Sequence, residues 1–404
     1  MENRSYKICT RCVMDTSVDD ICFDENGICN YCSGFLETAK PVLAIESAEK
    51  SKKLNELLEV LKKAGKGKKY DCVVGVSGGV DSSWALVQTV KAGLRPLAVH
   101  MDNGWNTELA QNNIANLVGK LGVDLYTHVI DWEEYRSLMQ AFFDSDVIDV
   151  ELLYDNAMFA VNYRQAYKYG VKYILSGMNT TSEGMEVPKT WNWHKFDKKN
   201  IVDICKMFGD VKLKTFPAIG TLDLIYFKHI KQIQWVPFPD YFDYNKLDAM
   251  KILQAEYDYK PYPYKHYESV FTRFYQGFIL LRKFNVDKRR VHLGTLVASG
   301  QMSREDAMGD LQRIPYPSEA DLEADKRYFL KKMGWTNSQL EEYVTRPGKP
   351  HMFYASEKPM WDWILTSRDD RTLYNAIKKL YKLIRGLKHW IVKHHDFARF
   401  KPNL

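Results

Sequence analysis

The chain has 404 residues, room for two or three domains with a full core. Its 45% hydrophobic and 27% charged residues are those of an ordinary globular protein and exclude a disordered or low-complexity chain. No apolar run approaches the ~18 residues needed to cross a bilayer, and the opening MENRSYKICTRC lacks the apolar centre of a signal peptide; a cytoplasmic protein is expected.

Residues 1–35 are polar and cysteine-rich. Cys9-x2-Cys12 and Cys29-x2-Cys32 stand 16 residues apart, a spacing in which two knuckles offer four thiolates to one tetrahedral Zn²⁺ at about 2.3 Å. Four thiolates fill the shell, so the site is expected to be structural; an iron–sulfur cluster is the alternative. So short a module buries little apolar surface, and metal binding would supply its folding energy. Cys22, Cys72 and Cys205 read as packing thiols. Leu54, Leu57, Leu58 and Leu61 follow helical spacing within a linker segment, 36–69, which ends in a Gly/Lys stop.

From Tyr70 strands and helices alternate. The apolar run 71–76 predicts a buried strand, and a glycine-rich turn leads into a helix over about 81–90. Further strands are expected at 96–101, 125–130 and 171–175, with helices near 109–121 and 152–169 between them. Four βα units imply a doubly wound parallel sheet over residues 70–240, with ligands beyond the carboxyl ends of its strands. Past about Leu213 the pattern turns helical and aromatic, giving a mainly helical C-terminal region, 241–404. From Arg371 onward nine Lys or Arg face one acidic residue, Asp396, so this tail carries +8 and the remaining chain −2 of the total +6. The tail reads as an amphipathic helix with a solvated basic face, or as a docking segment for a protein, an anionic membrane or RNA.

The first strand runs into Gly75-Val76-Ser77-Gly78-Gly79-Val80-Asp81-Ser82-Ser83. A phosphate cradle needs converging N–H groups, which glycines permit, and a helix N-terminus, whose dipole favours an anion. Ser77, Ser82 and Ser83 add hydroxyls, and Asp81 can help hold Mg²⁺. No Lys follows the glycines, which excludes the Walker loop. The run resembles the SGGxDSS loop of the PP-loop ATP pyrophosphatases, whose members bind the β,γ-pyrophosphate of ATP while an acceptor attacks the α-phosphorus. That resemblance implies nucleotide contacts at the next strand end, where His100 and Asp102 stand, and at Ser176, Gly177 and Asn179 of a later one. For Asp102 the plain alternative is a turn or helix-capping residue.

Taken with Cys9-Thr10-Arg11-Cys12-Val13-Met14-Asp15, Thr272-Arg273-Phe274-Tyr275-Gln276-Gly277-Phe278 and Asp287-Lys288-Arg289-Arg290-Val291-His292-Leu293, the loop narrows the likeness. Over roughly residues 6–310 the chain resembles the N-acetyl sugar amidotransferases (WbpG-like proteins of bacterial surface-polysaccharide and nonulosonic-acid pathways). The resemblance implies an ATP-dependent enzyme that converts the acetamido group of an N-acetylated, nucleotide-activated sugar into an acetamidino group. It also implies ammonia from a separate glutaminase subunit with a synthase-like partner. Cations must neutralise charge as pyrophosphate departs. Lys265, His266, Arg273, Lys288, Arg289 and Arg290 are the candidates, Arg273 first among them. Glu268 is expected to bind a sugar hydroxyl or steer ammonium, or else to be an ordinary helix-start acid; Thr180, Thr181 and Glu183 are weaker substrate-facing candidates. The rival reading is a PP-loop enzyme that adenylates a tRNA base carbonyl. The weakly acidic body and the single cysteine after Cys72 weigh against it, and the basic tail weighs for it. A scaffold that has lost turnover is the non-enzymatic alternative.

Overall fold

The computed structural model describes residues 5–262 and 267–366. The expected cation candidates Lys265 and His266 and the basic tail lie outside the described residues. Helices α1 (Asn30–Leu43) and α2 (Ser47–Gly65) lead to β1 (Cys72–Gly75), α3 (Val80–Lys91), β2 (Pro96–Asp102), α4 (Glu108–Leu121) and β3 (Asp124–Val129). Then follow α5 (Trp132–Asp144), α6 (Leu152–Lys168), β4 (Tyr173–Ser176), α7 (Thr180–Glu183), α8 (Lys198–Phe208), α9 (Thr221–Ile225), β5 (Gln234–Pro237) and α10 (Lys246–Tyr257). The remainder is helical. A π-helical turn, Tyr275–Ile279, joins α11 (Val270–Phe274) to α12 (Leu280–Phe284). After it come α13 (Arg289–Ala298), α14 (Arg304–Gln312), α15 (Glu319–Met333), α16 (Asn337–Thr345) and α17 (Lys358–Thr366).

The five strands form one parallel sheet in the order β3-β2-β1-β4-β5, so the expected α/β class is the one observed. Alternation along the strands separates two cores. Val73, Leu97, Val99 and Ile174 point to one face, where Ala157, Ala160, Val161 and Ala166 of α6 cover them. Cys72, Val74, Ala98 and Leu175 point to the other, beneath Leu86 and Val87 of α3, Ile114 and Leu117 of α4, and Leu253 of α10. Strands buried on both faces are continuously apolar, which is why β1 and β2 were legible as short runs. β5 was not expected: it is four residues long, ends in Pro237 and sits at a sheet edge, where the missing N–H costs no ladder bond.

Chain order reverses between β1, which pairs with β2 on one side and β4 on the other. This is the switch point at which open α/β sheets hold ligands. The cysteine module is no separate appendage. Cys29 is the N-cap of α1, which runs on past the expected boundary at residue 35, and Met14, Val18, Ile21 and Phe35 join the core on the α6 side of the sheet.

Candidate active site

The glycine loop folds as its residue types dictate. Gly78 adopts φ +85°, and a Cβ there would stand 2.8 Å from the Ala110 carbonyl. Only glycine takes this conformation and this approach without strain. Gly79 is the N-cap of α3. The Ser77 and Ser82 hydroxyls lie 3.1 Å apart, and Gly79 N–H donates to Ser77 Oγ at 3.3 Å, tying the turn to the first turn of the helix. First-turn N–H groups have no intrahelical partner, so the loop offers donors and a positive dipole end to an anion. Ser83, in the first turn of the helix, is 2% exposed.

Asp81 is the hub. Its Oδ1 accepts from the Tyr244 hydroxyl at 2.7 Å, from Asn179 Nδ2 at 3.1 Å and from the Ser182 hydroxyl at 3.4 Å, and its Oδ2 pairs with Lys246 Nζ at 2.8 Å. Burial works against the Lys246 charge, but Asp81, then Glu183 and Glu268, hold the ammonium above its ordinary range. The ring of Trp84, on the second turn of α3, lies 6.4 Å from that of Tyr244. Tyr262 donates to the Gly78 carbonyl at 3.1 Å. The neighbouring Tyr259 is 4% exposed, and its hydroxyl has no hydrogen-bond partner among the described residues. Burial first, then the charges of Tyr262, Glu268 and Asp81, push that hydroxyl up. An unpaired buried donor of this kind calls for an acceptor from water or a ligand.

Tyr244, Lys246, Tyr259 and Tyr262 were not among the sequence candidates. The only hint was the aromatic density of the segment, which reads equally as core.

The sequence candidates divide. Gly177 packs against the loop so closely that a Cβ would collide with Ser82 N, which fixes β4 against α3. Asn179 caps α7 by accepting from Ser182 N–H at 2.8 Å and bonds Asp81. Glu268 lies at the loop: its Oε1 is 4.0 Å from where a Cβ on Gly79 would stand, and its carbonyl accepts from Thr107 N–H at 2.9 Å. Gly75 abuts the Asn162 amide.

Others are occupied by the protein. His100 is 5% exposed; its Nδ1 bonds the Val76 carbonyl at 2.9 Å and its Nε2 the Asn106 amide at 3.1 Å, so no ring nitrogen remains for a nucleotide. Burial lowers its pKa and keeps it neutral. Asp102 caps the following turn, accepting from Gly104 N–H at 2.8 Å and Asn106 Nδ2 at 3.1 Å. The Ser176 hydroxyl is spent on the Val236 carbonyl at 3.3 Å.

The expected cations within the described residues are engaged by carboxylates of the protein. Arg273 forks onto Asp325 and stacks over the Tyr267 ring at 4.5 Å. Lys288 pairs with Glu151 at 2.6 Å, Arg289 with Asp287 at 2.7 Å, and Arg290 with Asp15 at 2.8 Å. A buried guanidinium held bidentately by a carboxylate is a structural clamp, expensive to unpair. Among the described residues, Lys246 is a cation paired with the loop's own carboxylate, Asp81.

In the N-terminal module Cys9, Cys12 and Cys29 hold their sulfurs within 4.8 Å of one another, a geometry open to a metal ion. Cys12 and Cys29 Sγ are 3.7 Å apart. Backbone N–H groups of Cys12, Met14, Cys29 and Cys32 point at the sulfurs of Cys9, Cys12, Cys9 and Cys29, at 3.3–3.5 Å. All four cysteines are fully buried and unbridged. Hydrogen bonds from Cys12, Cys29 and Cys32 pull the Cys9 thiol far below its ordinary range, whereas those with Cys12 and Cys9 push Cys29 far above it. Buried sulfurs that converge this closely suit a thiophilic divalent cation, so the donor set fits zinc. The module is pinned from the C-terminal region: Arg304 donates to the Cys12 and Cys9 carbonyls at 3.1 and 3.0 Å, and Arg290 to that of Val13 at 2.7 Å.

Residues 268–368 match the family model described as LPS biosynthesis protein WbpG-like, C-terminal domain. Among solved structures the chain is similar to NMN synthetase from Francisella tularensis, at 17% identity and TM-score 0.29 over 50% of this chain and 75% of that one. It is also similar to an NH3-dependent NAD synthetase from Campylobacter jejuni, at 15% identity and TM-score 0.28 over 64% and 98%. A third is described as a predicted subunit of tRNA methyltransferase from Methanocaldococcus jannaschii, at 14% identity and TM-score 0.26 over 45% and 75%. No curated protein sequence matches the chain.

Proposed function

With residues 268–368 a WbpG-like C-terminal domain, and a glycine–serine loop at the switch point of a parallel sheet, we propose that the chain is an ATP-dependent amidotransferase. Its acceptor is an N-acetylated sugar, carried on a nucleotide, in bacterial surface-polysaccharide or nonulosonic-acid synthesis. The observation that carries the reading is the pairing of Asp81 with Lys246 at the mouth of the loop.

On this reading the pyrophosphate of ATP lies on Ser77, Gly78, Gly79 and Ser82 and the first turn of α3. Asp81 helps hold Mg²⁺, which would screen the phosphate charge. Lys246 leaves Asp81 for the phosphates and neutralises the departing pyrophosphate, and Tyr259 donates its free hydroxyl. The acetamido oxygen of the sugar attacks the α-phosphorus; the bond from that phosphorus to the bridging oxygen breaks, and pyrophosphate leaves. The resulting O-adenylyl imidate has a leaving group that the amide lacked. Ammonia adds to its carbon, AMP departs with the former amide oxygen, and loss of a proton gives the amidine. The protein's part is positioning and charge stabilisation, with no covalent enzyme intermediate. Glu268, beside Gly79, is placed to orient ammonium or a sugar hydroxyl.

Zinc at Cys9, Cys12, Cys29 and Cys32 is the structural metal of this reading. A separate glutaminase subunit supplies ammonia. No helix among the described residues is long and apolar enough to cross a membrane, and a cytoplasmic site of action follows from the pools of ATP and activated sugars. Residues 70–240 then supply the phosphate loop, and 241–404, through Lys246, Tyr259 and Glu268, close the site. The test is a reaction of ATP, Mg²⁺, ammonium and a panel of activated 2-acetamido sugars, read by mass spectrometry for an amidino sugar formed with equal AMP and pyrophosphate. Pyrophosphate release with unmodified tRNA and with no sugar would replace this reading.

A further inference from the structure

A second polar cluster lies at the carboxyl edge of the sheet, on the opposite face from the phosphate loop. It is built on the first turn of α6, a 17-residue helix packed beneath β1, β2 and β4. Lys195 Nζ lies 2.7 Å from Asp149 and 2.8 Å from Asp155. Asp155 keeps 34% of its side-chain surface open and Lys195 18%, so both face accessible space. Glu151, one turn back, accepts from Gln276 Nε2 at 2.9 Å and Lys288 Nζ at 2.6 Å.

Asp149 is 1% exposed. Its Oδ2 takes Trp193 N–H and Lys195, while its Oδ1 has no partner among the described residues. A buried carboxylate oxygen left unpaired in the same cluster calls for a donor from water or ligand. Tyr154 bridges the two ends: after burial, the charges of Glu268, Asp155 and Asp102 are what most affect its hydroxyl. Tyr154 therefore stands between Glu268, at the glycine loop, and Asp155, which pairs with Lys195.

Resting on the ATP-loop reading above, we propose that Tyr154, Asp155 and Lys195, backed by Glu151, Gln276 and Lys288, form the acceptor pocket, and that it takes an uncharged, hydroxyl-bearing face of the sugar. Asp149, Glu151 and Asp155 outnumber Lys195 and Lys288, and Asp102 and Glu268 add to the excess along the way. A phosphate or carboxylate placed there meets net repulsion in a low-dielectric pocket. Vicinal hydroxyls, by contrast, donate to Asp155 and accept from Lys195 in charge-assisted hydrogen bonds. The activating phosphates of the sugar are thus held outside this pocket, with the acetamido group between it and the α-phosphorus.

The experiment compares the full-length wild type with Asp155→Asn, Lys195→Met and Tyr154→Phe. ATP affinity is measured by calorimetry, thermal stability by melting, and the binding and turnover of a panel of neutral and acidic 2-acetamido sugars by ligand-observed NMR and pyrophosphate release. The pocket predicts unchanged ATP affinity in all three variants. It predicts a KM for the neutral sugar raised about tenfold or more in Asp155→Asn, as loss of a charge-assisted hydrogen bond requires. Tyr154→Phe removes one hydroxyl and should give a smaller rise without loss of stability. Folded variants with wild-type sugar KM, an ATP-loaded wild type that binds no sugar of the panel, or preference for acidic rings at this end would each overturn the pocket. A wild type that fails to bind ATP would instead remove the reading beneath it.

Discussion

Asp81 and Lys246 stand 2.8 Å apart, which sets an ammonium against the carboxylate that the glycine loop carries. Replacing Lys246 by Met should lower pyrophosphate release on the order of a hundredfold or more, the usual cost of removing one group that meets transition-state charge. ATP binding should weaken far less, because the loop N–H groups remain; steady-state rates beside equilibrium titration separate the two. Tyr259→Phe deletes a hydroxyl that the protein itself leaves unpaired. It should therefore raise the KM for ATP while leaving thermal stability unchanged or slightly higher, since an orphan buried donor disappears. Asp81 was legible in the sequence because its motif is contiguous. Its partners Tyr244 and Lys246 follow 163 and 165 positions later, and no local pattern links such residues. The partner of Arg273 is hidden for the same reason: the carboxylate that engages it, Asp325, lies 52 positions on, and no local pattern pairs the two.

Elements were legible where burial imposes a pattern. The strand runs near 71, 96, 125 and 171 and the helices near 81, 109 and 152 all appear within a few residues of their expected bounds. Parallel strands and amphipathic helices must repeat their apolar residues with their own periods. What could not be read was which side chains the strand ends would consume, as with His100 and Ser176. The contact of β4 with α3 is testable through Gly177: a Cβ there would collide with Ser82 N, so Gly177→Ala should displace the loop and sharply weaken ATP binding, measured by calorimetry, while far-UV circular dichroism stays that of the wild type.

The segment around Trp193 makes a pH prediction. His194 and His351 are pushed down to about 4, chiefly by burial. His351 must stay neutral, because its Nε2 accepts from Asp149 N–H at 3.2 Å. Between about pH 6.5 and 4 the unfolded chain binds protons that these imidazoles refuse in the fold, so stability falls as pH drops through that window. Melting temperature against pH should show this slope, and His351→Gln should flatten it.

At the scale of the molecule the C-terminal region joins what the sequence displays as separate modules. Arg290 and Arg304 hold the cysteine knuckles, Gln276 and Lys288 hold the first turn of α6, and Lys246 and Glu268 stand at the phosphate loop. Metal loss should therefore not stay local. Cys29→Ser should bind less than one zinc per chain by elemental analysis and should lower the melting temperature of the whole protein, because the module shares its core with α6. A melting transition indifferent to the metal would contradict that coupling. In the proposed chemistry an acetamido oxygen is activated as its AMP ester. The decisive measurement supplies the sugar with heavy oxygen in its acetamido carbonyl, together with ATP, Mg²⁺ and ammonium, and weighs the products. The heavy oxygen should appear in AMP, mole for mole with an amidino sugar that has lost it. Label remaining in the sugar, or label released into water with AMP unlabelled, would contradict it.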